Sequence, residues 1–207
     1  MSKKIDIAIG REFGSGGREI ARKVAEKLGI KIYDKELIAL IAKNSGMSEE
    51  VLHDVDETAT NSFLYALSSG AFSGAPIVNS GSAMLPVNDK AFIACSKIIK
   101  ELAEKESCVI VGRCAESVLK GRDDLLTVFI SADIERRIDR IVEYEGISRT
   151  DAAAVIKRAD KKRASYHNYY SDTRWGSRSA YDLCINSKIG LDLAVDIIVS
   201  AAGAIAK

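Results

Sequence analysis

Ile5-Asp6-Ile7-Ala8-Ile9-Gly10-Arg11-Glu12-Phe13-Gly14-Ser15-Gly16-Gly17-Arg18-Glu19-Ile20-Ala21 joins a short apolar run to a glycine-dense turn and the start of an amphipathic helix. The run reads as a buried strand, and Ile20, Val24 and Leu28 recur at the spacing of one helix face. Glycine at positions 14, 16 and 17 allows positive φ angles, so successive N–H groups can turn inward. A helix that begins near Gly17 adds unpaired N–H groups and the positive end of its dipole. Together these parts make an anion cup, whose usual occupant is a phosphate. Gly14, Ser15, Gly16, Gly17 and Arg18 are therefore the expected phosphate-binding residues.

The standard phosphate loop, G-x-x-x-x-G-K-[ST], puts a lysine on the terminal phosphates and a hydroxyl on Mg²⁺. Aligned on Gly14-Ser15-Gly16, this chain has Gly17 at the lysine position, followed by Arg18 and Glu19. The nearest cations are Arg11 and Arg18. Two readings of the loop stand side by side: a phosphate cradle with an altered cation, and a tight strand-to-helix turn that binds nothing.

A chain of 207 residues can bury one sizeable core. Hydrophobic residues at 47% and charged residues at 29% are ordinary for a globular protein. A formal net charge of +1 speaks against bulk nucleic-acid binding and against an anionic membrane partner, so any basic site must be local. The uncharged stretch Ala71 to Asn88 is broken by glycines, serines and two prolines, which is no membrane span. The four cysteines, Cys95, Cys108, Cys114 and Cys184, form no C-x-x-C pair, and only two histidines accompany them, which disfavours a zinc site. Met1-Ser2-Lys3-Lys4 is not a signal peptide, so reduced thiols and a cytoplasmic location are expected.

Along the chain, Ile30 to Asp34 reads as a second strand with Asp34 at its carboxyl end, the edge where α/β proteins hold ligands. Asp34 serves equally as the cap of a helix over Lys35 to Ala42. Residues 44 to 91 differ in character. Ser48 caps a short helix, His53-Asp54-Val55-Asp56-Glu57 reads as a solvated acidic face rather than a metal site, and Ser68 to Asn88 is a small-residue loop. A helix over Asp89 to Glu104 precedes Cys108-Val109-Ile110-Val111, the continuous apolar run of a central parallel strand.

Gly112-Arg113-Cys114 follows that strand, so Arg113 is either a phosphate-binding fork at the ligand edge or a surface arginine. Leu125 to Ile130 is another strand, with a helix starting after Ser131-Ala132-Asp133. Arg136 and Arg140 share a face of that helix. A second long helix opens at Ser148 and carries Lys157, Arg158, Asp160, Lys161, Lys162 and Arg163, then Tyr166, His167, Tyr169 and Tyr170. A salt-bridged solvated helix explains most of these lysines, whereas arginines beside a helix-break-helix suit a phosphate-transfer lid. Tyr181 to Asn186 closes the set of strands, and Leu191 to Ala202 is a final helix. About five strands alternating with helices imply a parallel sheet.

Ile9 to Ile20, Tyr33-Asp34-Lys35-Glu36-Leu37-Ile38, Val109 to Ala115 and Tyr181 to Asn186 together resemble the cytidylate kinase-like family of P-loop nucleoside monophosphate kinases. The resemblance implies a three-layer α/β fold of the P-loop NTP hydrolase type, with a parallel five-stranded sheet. It implies one domain over 1–207: a core of 1–43, 89–135 and 180–207, a helical NMP-binding lobe over about 44–88 and a helical lid over about 136–179. It implies ATP and Mg²⁺, with ATP in the loop Gly14 to Arg18 and the metal's protein ligands unknown. Arg18, Arg158 and Arg163 are the expected catalytic cations, and Asp34, Arg113 and Asp160 the expected acceptor-binding residues. The family's strand-end motif is Gly-Arg-Asp, and Cys114 stands here in place of its aspartate, so CMP in particular is less securely implied. The expected activity is phosphoryl transfer from ATP to CMP, dCMP or a related small phosphate acceptor. The absent lysine leaves a second expectation, a nucleotide-binding regulator with weakened transfer.

Overall fold

In a computed structural model, residues 4–34, Leu37 and residues 87–206 are described. All but Leu37 of the helix expected over Lys35 to Ala42, and most of the expected acceptor lobe with its acidic stretch, lie outside the described residues.

Strand β1 (Asp6–Arg11) leads into helix α1 (Gly17–Leu28), which Gly29 ends in a left-handed conformation, its N–H donating to the carbonyls of Ala25 and Glu26. Strand β2 (Lys31–Tyr33), helix α2 (Val87–Lys105) and strand β3 (Cys108–Val111) come next. A single turn of helix, α3 (Ala115–Val118), precedes β4 (Leu125–Ser131). Helices α4 (Ile134–Glu145) and α5 (Arg149–Tyr170) follow, then β5 (Leu183–Asn186) and α6 (Leu191–Ile205). Ser148 caps α5 by accepting the Asp151 N–H at 3.1 Å. Element ends differ from the sequence reading by a few residues, as fraying ends do.

The five strands form one sheet in the order β2-β3-β1-β4-β5, with every pairing parallel. β1 lies at the centre, flanked by β3 and β4, and its middle residues Ile7, Ala8 and Ile9 are buried on both faces. Alternation along β1 assigns those faces. Ile5, Ile7 and Ile9 pack with Ile20 and Val24 of α1 and with Val195 and Ile198 of α6. Ala8 points the other way, into a cluster with Ile98, Ile99 and Cys95 of α2 and Ala115 of α3. The result is the expected three-layer α/β architecture, with the sheet between two helical layers.

Helices α4 and α5 form a hairpin with a small core of its own, built on Ile138, Ile141, Ala152 and Ile156, which Phe13 joins from the β1–α1 turn. At its far end α5 packs on α2. Tyr170 stacks on Phe92 with ring centroids 4.0 Å apart, and its hydroxyl donates to Asp89 at 2.8 Å. Trp175 meets Phe129 edge to face. The tyrosines and the tryptophan thus fasten the hairpin to the core.

Candidate active site

The β1–α1 turn is held from every side. Ser15 is buried, its Oγ donating to the Glu12 carbonyl at 2.9 Å and accepting the Gly17 N–H at 3.3 Å. Ser187 Oγ donates to the Ser15 carbonyl at 2.7 Å, and the Ala132 N–H donates to Glu12 Oε2 at 2.9 Å. Gly14 and Gly16 are left-handed, with φ of 78° and 81°, as a cupped turn requires. Gly17 is not; it opens α1 with ordinary helical geometry, and its lack of a side chain answers to space instead. This corrects the expectation of a positive φ there.

Arg137 is the buried cation of the turn. Its Nε donates to the Phe13 carbonyl at 2.8 Å, its Nη1 lies 3.3 Å from Glu12 Oε2, and its Nη2 pairs with Asp160. Asp160 also takes the Phe13 N–H at 2.8 Å. The sequence reading marked Asp160 for the acceptor; in the structure one of its oxygens takes the Phe13 N–H of the loop and the other pairs with Arg137.

Two clefts adjoin at the carboxyl edge of β1 and β3. One, of about 290 Å³, is lined by Arg18, Asp34, Arg113, Lys162 and Arg163 together with Tyr166, Trp175 and Tyr181. The other, of about 670 Å³, lies over Gly14, Gly16 and Gly17 and is bordered by Glu19, Arg140 and Tyr144. Arg11, Phe13, Arg18 and Arg163 line both clefts and so mark their junction. Arg158 is exposed and lines neither.

Arg18 and Asp34, read separately from the sequence, are partners. Arg18 Nε lies 2.5 Å from Asp34 Oδ2, and Nη2 donates to Oδ1 at 3.3 Å, a fork on a carboxylate. Arg163 donates from Nη1 to the Arg11 carbonyl at 3.2 Å and lies over the Phe13 ring, 5.3 Å from its centroid.

Arg113 sits in a strained turn. Gly112, Arg113 and Cys114 have consecutive φ values of 76°, 60° and 55°. A left-handed residue other than glycine costs about 1–2 kcal/mol, a cost the surrounding structure must offset. What it presents at the strand end is Arg113. Cys114 is buried against Tyr166, and burial, with the Glu116 charge, pushes its thiol well above the ordinary range. Below the turn, His167 Nε2 lies 2.8 Å from Glu116 Oε1, and both side chains are buried in the floor of the smaller cleft. Burial likewise raises the Tyr181 hydroxyl.

Sequence reasoning did not single out Arg137, the Glu116–His167 pair or the strain at Arg113. Nothing in the sequence separates Arg137 from Arg136, its exposed neighbour. The run of three left-handed residues had one visible sign, the glycine that opens it. Among the described residues no three His, Cys, Asp or Glu side chains gather as a metal cage, and no helix is long and apolar enough to cross a membrane.

Residues 6–189 match the model of the cytidylate kinase-like family. A cytidylate kinase of Thermococcus sibiricus is 39% identical over 206 residues, covering 98% of this chain and 90% of that one. A cytidylate kinase of Pyrococcus horikoshii is 27% identical over 201 residues, covering 96% and 88%. Among solved structures, an uncharacterized protein from Eubacterium ventriosum superposes with a TM-score of 0.70 at 33% identity, over 96% of this chain and 98% of that one. A gluconokinase from Sinorhizobium meliloti superposes with a TM-score of 0.53 at 12% identity, over 100% and 95%, a likeness of fold alone. With its central parallel sheet, glycine loop and arginine-lined edge, the chain belongs to the cytidylate kinase-like family and has the P-loop kinase fold.

Proposed function

We propose that the protein transfers the γ-phosphoryl group of ATP to the phosphate of a nucleoside monophosphate, with CMP and dCMP the first acceptors to try. The observation that carries this reading is the strained turn that brings Arg113 into one cleft with Arg18, Asp34 and Arg163, next to the glycine loop. A protein that only bound ATP would have no use for a second arginine-lined cleft at the loop's mouth. The names of the two archaeal relatives support the nucleotide class.

Phosphoryl transfer asks a protein for positioning and charge neutralisation more than for covalent chemistry. The left-handed turn at Gly14 and Gly16 and the start of α1 would hold the donor phosphates. Arg113 would grip the acceptor phosphate and Asp34 would orient the acceptor. Arg18 and Arg163, at the junction of the clefts, would neutralise the group in flight. Arg163 takes this part rather than Arg158, which lies outside both clefts. Asp160 acts one step back, by fixing the loop that holds the phosphates. Helices α4 and α5 serve as the lid, and residues 44–88 as the acceptor lobe. Mg²⁺ would be held with the phosphates, and Glu12, Glu19 and Glu145 are the carboxylates that line the donor cleft.

Gly17 in place of the lysine favours a second reading, a nucleotide-binding regulator that no longer transfers. ATP turnover with Mg²⁺ against a panel of nucleoside monophosphates, with Arg113→Ala as control, separates the two. Turnover on one acceptor that collapses in the variant supports the kinase. ATP binding without turnover on any acceptor supports the regulator.

A further inference from the structure

The lysine of a phosphate loop is absent at position 17, and the packing around Gly17 gives a reason. A Cβ placed on Gly17 would lie 2.6 Å from Arg11 Cβ and 3.1 Å from Arg11 Cγ. The stem of Arg11 already fills the space from which a lysine side chain would start. Its far end is equally confined. A Cβ placed on Gly112 would collide with Arg11 Nη1, so the guanidinium rests against the backbone of a left-handed glycine. Arg11 therefore spans from the glycine loop to the turn that carries Arg113.

That path places a permanent cation at the junction of the donor and acceptor clefts, both of which Arg11 lines. Arg18, which forks onto Asp34, and Arg163, which donates to the Arg11 carbonyl, stand beside it there. We infer that Arg11 is the phosphate-loop cation of this protein, entering from the end of β1 to contact the terminal phosphates that a lysine at position 17 would contact. Gly17 is a glycine because the stem of Arg11 occupies the room above it, whereas Gly112 answers to its left-handed φ. The inference rests on reading the loop as a phosphate site, and of the two cations nearest the loop, Arg11 and Arg18, it selects Arg11.

The experiment uses the full chain and two probes, inorganic tripolyphosphate and ATP with Mg²⁺, with affinity read by calorimetry and folding by unliganded thermal unfolding. Arg11→Met keeps an apolar stem and removes the charge. It should weaken both probes by about 10- to 100-fold, the worth of a charge-assisted contact. Arg11→Lys should keep most of the affinity. The double variant Arg11→Gly with Gly17→Lys should bind more tightly than Arg11→Gly alone, because the Cβ that crowds position 17 is then gone.

Unchanged affinity in Arg11→Met, or a folded double variant no tighter than Arg11→Gly, overturns the inference. Tripolyphosphate binding that depends on Arg11, without phosphoryl transfer to any acceptor, upholds it and overturns the kinase. A wild-type protein that binds neither probe overturns both.

Discussion

Arg137 and Asp160 pair across α4 and α5, and between them they take both polar backbone groups of Phe13. The α4–α5 hairpin and the glycine loop are therefore joined through the backbone of Phe13 and the Arg137–Asp160 ion pair. Removing the buried cation alone would leave the half-buried carboxylates of Glu12 and Asp160 without it. Arg137→Ala is expected to cost about 3–5 kcal/mol of stability, the range for breaking a buried pair from one side. Asp160→Asn, whose amide oxygen can still accept the Phe13 N–H, should cost clearly less. Urea denaturation of the two variants checks the order, and equal losses would show that the pair is not the clamp.

Arg18 and Asp34 form a different kind of pair. The Arg18 side chain is 58% exposed, so the bond contributes at most about 1 kcal/mol and can open when a phosphate arrives. Asp34→Asn should release Arg18 and tighten ATP by up to about fivefold, while raising KM for the acceptor. Calorimetry with ATP and steady-state kinetics with CMP measure the two effects separately. Weaker ATP binding in the variant would mean that Asp34 positions Arg18 rather than occupying it.

Gly16 has φ 81°, and a Cβ there would approach Leu191 Cδ2 to 2.9 Å. Gly16→Ala is accordingly expected to lose about 1–3 kcal/mol and to disorder the cup. Gly203, inside α6 with nothing within 4 Å of an added Cβ, is the control. Gly203→Ala should gain about 0.5–1 kcal/mol from helix propensity. Thermal unfolding of both variants should show opposite shifts.

Asp6 makes stability depend on pH. Burial raises its carboxyl above the ordinary 3.8, against the pull of Lys4 and Arg122 and the Cys108 hydrogen bond. The folded protein thus holds this proton more tightly than the unfolded chain does. The stabilisation is complete below the unfolded value and is lost as pH rises through the folded one. Asp6→Asn keeps an acceptor for the Cys108 N–H and removes that loss. Its unfolding temperature relative to wild type should therefore improve from about pH 4 to about pH 7. A pH-independent difference between the two proteins would contradict a raised Asp6 carboxyl.

The thiols should react in the order that their surroundings dictate. Cys184 is exposed, whereas Cys95, Cys108 and Cys114 are buried, and burial pushes the Cys108 and Cys114 thiols far up. Under native conditions near neutral pH a maleimide should label Cys184 first, the other three following only on unfolding. Peptide mapping by mass spectrometry reads the order. Early labelling of Cys114 would mean that the Arg113 turn opens readily.

Much of the fold was legible because it is written in short-range patterns. The apolar run at Cys108–Val111 has no polar residue to place at a surface, so only a central strand suits it, and the structure puts it between β2 and β1. Gly14 and Gly16 marked a turn that other residues would strain. The site was legible in outline for the same reason: Asp34 and Arg113 follow strands, and parallel strands all end on one edge. Their partners were not legible. Arg136 and Arg137 are chemically identical neighbours, and which one is buried follows from the angle at which α4 docks on the loop. Asp160 and Arg163 share a helix face, as their spacing required, yet both turn to the loop backbone, at Phe13 and Arg11 respectively.

The sequence by itself determined the alternation of strands and helices, the glycine cup after β1 and the kinds of charged residue at the sheet's edge. These depend on local geometry and on hydrophobic period, which a linear chain displays. Only the tertiary structure decided the strand order β2-β3-β1-β4-β5, the union of Arg18 with Asp34 and the route of Arg11 across Gly17 to Gly112. Those depend on which surfaces meet and on how much room remains between them. Close packing settles such questions to a fraction of an ångström, on a scale that residue spacing does not encode.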